Sequence, residues 1–205
     1  MDKALIGLVS GAIVAASIIP YSLRTYRDEI KPVFTSWFLF TVIGLATLLT
    51  YQQTGAEASV WPALFGFINP LAITIILIAK HRRQILQGLS FWDNASILIC
   101  CATVVALPIT RQNNQSAEVA MFLVLFANLI AVRGTVLSAI DQPHADRPVP
   151  WFMVALGFGL STFAINSPDG VQYWLPIYMV VIAGGIASIL CLHRIKNHVP
   201  IHQWV

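Results

Sequence analysis

The chain has 205 residues, 57% of them hydrophobic and only 10% charged, with a formal net charge of +3 and a mean hydropathy of +0.74. A water-soluble domain of this size needs more surface charge, so the composition argues against one. It points to an integral membrane protein whose helices each carry roughly 20 apolar residues, enough to cross a hydrocarbon core about 30 Å thick.

Seven segments approach that length: 4–21, 35–51, 60–79, 95–109, 119–140, 151–165 and 173–192. The first follows Met1-Asp2-Lys3 and resembles a secretory signal, but Gly7, Gly11 and Ala15 recur every four positions and form a face that a neighbouring helix can approach closely. The second ends in Tyr51 and Gln52, and the third carries Asn69-Pro70 at its centre. The fourth is the shortest uncharged run and holds Cys100 and Cys101. The fifth contains Asn128 and, closer to its end, Arg133, whose long side chain can snorkel to the headgroups. The sixth is followed by Asn166, and the seventh contains Gly184-Gly185 and ends near Cys191. The three cysteines have neither metal-ligand spacing nor a disulfide framework.

The two halves repeat. Ile30 to Phe40 (IKPVFTSWFLF) matches Asp146 to Leu156 (DRPVPWFMVAL), and the match continues from Trp37 to Trp151, Gly55 to Gly170, Trp61 to Trp174 and Lys80 to His193. Such duplication across membrane spans is a transporter signature. It divides the chain into a first triple-helix repeat (1–83), a linker containing the fourth helix (84–116), and a second triple-helix repeat with the C-terminal tail (117–205).

Basic residues are distributed unevenly between the connections. Arg24, Arg27, Lys31, Lys80, Arg82, Arg83, Arg147, Arg194 and Lys196 share one side, against Lys3 and Arg111 on the other. The positive-inside rule then places the C-terminus in the cytoplasm and the N-terminus outside. The basic residues serve as topology determinants and contacts for anionic lipid, with no nucleic-acid partner implied.

Every Asp and Glu lies outside or at the edge of an apolar run, and no span contains the Lys that a retinal Schiff base requires. No catalytic constellation is visible, so an enzyme is not expected, and no cofactor or metal is implied. The deep polar groups are amides. Pro70 removes an amide donor and releases the carbonyl of Gly66, and beside it Asn69 offers hydrogen bonds to a neutral solute or ties α-helices together. Asn128 carries the same two readings. Gly184 and Gly185 fall near the depth of Asn69 in the second half, and an interruption of both third helices there is expected to form a central site. Tyr51, Gln52 and Asn166 are expected near the outer mouth, as a gate or as interfacial anchors.

The three-plus-one-plus-three plan, together with the stretch Ile18 to Gly44 (IIPYSLRTYRDEIKPVFTSWFLFTVIG), resembles the PQ-loop superfamily, particularly the SWEET and SemiSWEET sugar facilitators. Pro20 stands where that family has a proline at the cytoplasmic end of the first helix. Tyr21 replaces the motif glutamine, Gly134 stands near the second repeat's proline position, and the seventh helix has no matching Asn. The resemblance implies that Pro20 is a hinge for alternating access and that Asn69 matches the family's pocket Asn. The related nicotinamide-riboside transporters stack their ligand on aromatic rings, and no Trp stands at mid-span here. KDEL receptors use the same architecture without carrying a solute.

The expectation is an all-α integral membrane protein with seven transmembrane helices in two parallel triple-helix repeats. It would move a small neutral, sugar-like solute by facilitated diffusion, as a monomer, a homo-oligomer or part of a larger membrane complex. Asn69, Asn128, Gly184 and Gly185 would form the site and Pro20 and Pro70 the hinges. The alternative is a non-transporting accessory subunit or receptor whose centre is packed solid.

Overall fold

A computed structural model describes residues 2–30, 32, 34–80, 90–110, 114–144, 146–166 and 170–204. Seven α-helices hold most of them: α1 (Lys3–Tyr26), α2 (Phe34–Gln53), α3 (Val60–Lys80), α4 (Phe91–Thr110), α5 (Asn114–Asp141), α6 (Pro148–Ser161) and α7 (Val171–Lys196). There is no strand among the described residues. Each predicted apolar segment coincides with one helix, and most helices run further, because backbone hydrogen bonding continues into the polar ends. The Asp2 side chain caps α1 by accepting from Ala4 N at 2.9 Å, and α1 passes through Pro20 to Tyr26. At the far end of the chain α6 stops early at Ser161 and tightens into a 3-10 turn over Thr162–Ala164.

Helices α1, α2, α3, α5 and α7 are long and apolar enough to cross a membrane, and the shorter apolar stretches Phe91–Ala106 and Pro148–Ala164 lie in the other two. The chain is a multi-pass α-helical membrane protein. Its outward side chains fit that solvent: Leu8, Ile75, Leu98, Phe122, Val181 and Leu192 are exposed, an apolar surface suited to lipid rather than water.

Contacts at the helix ends fix the directions. Lys80 Nζ reaches Tyr26 O and Asp28 Oδ2, while Gly7 lies against Ala58, so α1 and α3 run the same way. Tyr51 meets Ser59 and Thr41 meets Thr74, so α2 runs against α3. Lys3 Nζ donates to Ile165 O and Arg194 to Asp146 O, which sets α6 against α1 and brings the end of α7 to the start of α6. Arg24, Lys80, Arg147 and Arg194 therefore gather at one end of the bundle, with Lys3 at the other. Lys31, Arg82, Arg83 and Arg111, and the boundary drawn at residue 83, lie outside the described residues.

Packing pairs α1 with α3 and α6, α2 with α3 and α5, and α7 with α5 and α6, while α4 lies on α2 and α5. Exchanging α1 with α5, α2 with α6 and α3 with α7 carries the contacts α1–α3, α2–α3 and α1–α6 onto α5–α7, α6–α7 and α2–α5. Lipid tails are as apolar as leucine, so helix association depends on close van der Waals approach rather than on hydrophobic burial. Small residues supply it. A Cβ on Gly7 would stand 2.0 Å from Ala58 O, one on Gly11 2.6 Å from Trp61 Cβ, and one on Gly157 2.5 Å from Val14 Cγ2. Gly7→Ala should therefore push α1 off α3 and cost about 1–3 kcal/mol. Gly134→Ala, where nothing lies within 4 Å, should be neutral or stabilising by up to about 1 kcal/mol. Thermal unfolding of the two variants in detergent reads the contrast directly.

Candidate functional site

A cavity of about 150 Å³ opens where α1, α2, α3, α5, α6 and α7 converge, with no residue of α4 in its lining among the described residues. That is roughly ten times the space one water requires. Each helix presents one face at helical spacing. Val14, Ser17 and Tyr21 come from α1, and Trp37, Phe40, Gly44 and Thr47 from α2. The lining positions also follow the repeat. Val14 and Asn128, Ile18 and Val132, Phe40 and Val154, and Gly44 and Phe158 stand at the offset that links Trp37 to Trp151. Asn69 and Pro70 are matched by Ile182 and Ala183 at the offset that links Lys80 to His193.

Asn69 is 7% exposed, and its Nδ2 donates to Val14 O at 2.8 Å and to Ser17 Oγ at 3.2 Å. A carbonyl can only accept, so this contact sets the orientation of the amide and leaves Asn69 Oδ1 as an acceptor. Asn69 Oδ1 is buried without a partner, and so is Thr47 Oγ1 on α2. Each such group costs about 1–3 kcal/mol while unpaired, and burial without a partner is rare enough to call for a reason. On α5 the polarity reverses: Asn128 Oδ1 accepts from the Tyr178 hydroxyl at 3.1 Å, which turns its amide nitrogen to the donor role. The wall thus combines an acceptor, a hydroxyl and a donor within an otherwise apolar surface.

Aromatic rings close the end of the cavity that faces the basic residues. Tyr21 and Trp37 have centroids 4.8 Å apart, and Phe40 meets Trp37 edge-on at 6.2 Å. Trp151 lines the same space and donates its indole N–H to Asp146 Oδ2 at 2.9 Å. Neither Trp is at mid-span in the sequence, yet both indoles reach the cavity from the first turns of α2 and α6. Only the recurrence of Trp37 at Trp151 signalled them beforehand.

Of the residues singled out from the sequence, Asn69, Pro70 and Asn128 line the cavity. Gly184 and Gly185 do not. The expected interruption is absent, since α7 is continuous from Val171 to Lys196 and Ile182 and Ala183 occupy the wall instead. Gly184 faces Ala155, and Gly185 is exposed with nothing within 4 Å of a Cβ. Pro20 sits within α1 and is absent from the lining, where Ile18 and Tyr21 flank it. Tyr51 is fully buried rather than at a mouth. Its hydroxyl bonds Ser59 Oγ and Gln172 O, both at 3.0 Å. Pro176 cannot donate to that Gln172 carbonyl, so Tyr51 satisfies an acceptor the proline leaves open and ties α2 to α7. Gln52 and Asn166 are exposed at helix ends. Ser17, Tyr21 and Thr47 were not anticipated, although Trp37, Phe40, Gly44 and Thr47 form one helical face that the pattern of α2 could have revealed.

Asp146, between α5 and α6, accepts from Trp151 Nε1 and from Arg147 N at 2.7 Å. Burial raises its pKa above the ordinary 3.8, against the opposing pull of those hydrogen bonds and of the Arg147 and Arg194 charges. A carboxyl whose folded value is raised adds stability that is complete below the unfolded value and is lost as pH rises through the folded one. The melting temperature of the wild type relative to Asp146→Asn should therefore fall as pH climbs from below 3.8 toward neutrality. Parallel melting curves across that window would contradict the assignment. No family model matches this chain, and no curated protein or solved structure matches it either.

Proposed function

We propose that the protein is a carrier for a small neutral polar solute, and that the cavity between its helices is the solute site. The observation that carries this reading is the pair of unpaired buried oxygens, Asn69 Oδ1 and Thr47 Oγ1, on the wall of a cavity. A solute hydroxyl can donate to Asn69 Oδ1 and either donate to or accept from the Thr47 hydroxyl, and the amide of Asn128 supplies a donor in return. Flat faces of Trp37 and Trp151 suit the C–H face of a sugar-like ring. An accessory protein needs no such space and is better served by a packed centre.

In this reading all seven helices span the bilayer, including α4, whose 20 residues cover about 30 Å. Residues 1–83 and 117–205 form two parallel triple-helix units joined through 84–116. The exchange pattern of the packing pairs supports that division, as does the resemblance to SWEET-like facilitators. The basic end faces the cytoplasm, with the N-terminus outside. Transport proceeds by rocking one unit against the other around the cavity, with Pro20 and Pro70 as the flexible points. No acidic side chain lines the cavity among the described residues, which favours facilitated diffusion over proton coupling.

Uptake into liposomes of a panel of sugars, nucleosides and amino acids tests the reading. Asn69→Ala should abolish uptake of the active solute. Thr47→Val is the sharper variant, because it removes an oxygen that bonds nothing in the empty protein. It should leave the melting temperature unchanged or raised while weakening solute affinity about tenfold. Absence of uptake for every solute by well-folded wild type would favour the accessory or receptor reading.

A further inference from the structure

We infer that Arg147 and Arg194 form a binding site for a phosphate-type oxyanion at the basic end of the bundle. Arg194, on the last turn of α7, is only 3% exposed, and its one side-chain hydrogen bond among the described residues runs from Nη2 to Asp146 O at 2.5 Å. Its Nε is buried without a partner, and so is Nε of Arg147, whose Nη1 reaches only His144 O at 3.2 Å. Neither guanidinium has a carboxylate within 4.0 Å among the described residues; the ion pairs there are Arg24–Glu29, Arg27–Glu29 and Lys80–Asp28. Buried charges are normally paired, and among the described residues a buried guanidinium bonded to a single carbonyl has no carboxylate beside it.

Asp146 lies close enough to act on both guanidiniums, but among the described residues no carboxylate bonds or ion-pairs with either. Asp146 spends its carboxylate on Trp151 and on the backbone N–H of Arg147, and its burial disfavours the charged form. Arg24 on α1 adds a third guanidinium that repels the other two, while Glu29, 3.9 Å from Arg24, supplies one opposing charge that also acts on Arg147 at longer range. Tyr21, the remaining ionisable group facing Asp146, contributes only a phenol. The site also lies at the N-terminus of α6, where the helix dipole favours an anion. Pro148 and Pro150 have no N–H and the Val149 N–H is taken by Trp204 O at 3.3 Å. Binding therefore falls to the guanidinium forks, whose planar geometry suits phosphate oxygens.

The phosphate can be that of a lipid headgroup or a free ion, and a thermal-shift experiment separates them. Protein in maltoside micelles is titrated with sodium phosphate against sodium chloride at equal ionic strength. In a second arm it is titrated with short-chain phosphatidylglycerol against diacylglycerol of the same tails. A rise in melting temperature with phosphate identifies the free ion, and one with phosphatidylglycerol alone identifies the headgroup. In either case Arg147→Gln should raise the half-maximal concentration at least about tenfold. Arg147 makes no side-chain cap bond to α6, so this variant is expected to fold even where Arg194→Gln does not. A flat response in both arms, or an unchanged response in folded Arg147→Gln, overturns the proposal. Neither result depends on whether the protein carries a solute.

Discussion

The constraint on which this structure depends is that hydrocarbon offers no hydrogen bonds. Every polar group carried into the bilayer must find a partner inside the protein or cost several kcal/mol. Seven helices satisfy nearly all backbone groups internally, and most deep hydroxyls turn back to their own helix, as Ser10 does to Gly7 O and Thr50 to Ala46 O. Where a proline breaks the ladder of α7, another helix repairs it: Tyr51 supplies the donor that Pro176 withholds from Gln172. Against that background, oxygens left unpaired on a cavity wall are informative, because the rest of the molecule shows how readily this chain closes such gaps.

The cavity follows from the way the helices meet. Gly7 and Gly11 bring α1 onto α3, and Gly157 brings α6 onto α1, with separations that no Cβ would tolerate. These contacts draw the helices together on one side of the cavity while Tyr51 clasps α2 to α7 on another. The centre, where Gly66 removes side-chain volume and Pro70 occupies the wall, is left open, although a Cβ on Gly44 would stand 3.0 Å from Gly66 O. Close packing toward one end of a bundle and a void beyond it is a division of labour that suits a binding site between rigid elements.

Much of the helical architecture was legible in the sequence, because apolar runs in a bilayer protein report element length directly. Boundaries were less so. The polar tail of α1 past Tyr21 and the amphipathic start of α5 carry no hydropathy signal, though their backbone bonding continues. Asn69 and Asn128 were legible as deep amides, since a carboxamide inside an apolar run stands out. Thr47 was not, because a hydroxyl that bonds its own helix and one left unpaired look identical in a sequence. Gly184-Gly185 misled for the opposite reason. Glycine lowers helix propensity by only about 1 kcal/mol, and the packing of α7 against α5 and α6 overrides it. Asp146 and Arg194 lie at the edges of apolar runs, where linear sequence suggests solvent, and only the folding of the loop over α6 and α7 buries them.

The duplication bears on the chemistry of the cavity as well as on its shape. Many of its lining positions recur between the halves at the offsets that link Trp37 to Trp151 and Lys80 to His193, so a duplicated backbone would furnish two similar walls. The side chains do not keep that equivalence. Asn69 lines the cavity from α3 while its counterpart on α7 is Ile182, and Asn128 on α5 corresponds to Val14 on α1. Trp37 with Trp151 and Ile18 with Val132 repeat both position and chemistry. A solute held here meets like aromatic surfaces from the two halves but an acceptor from one and a donor from the other. On the proposed reading such a site would suit a molecule with distinguishable ends, and unequal walls would let it release that molecule unequally to the two sides even if the backbone motion were symmetric.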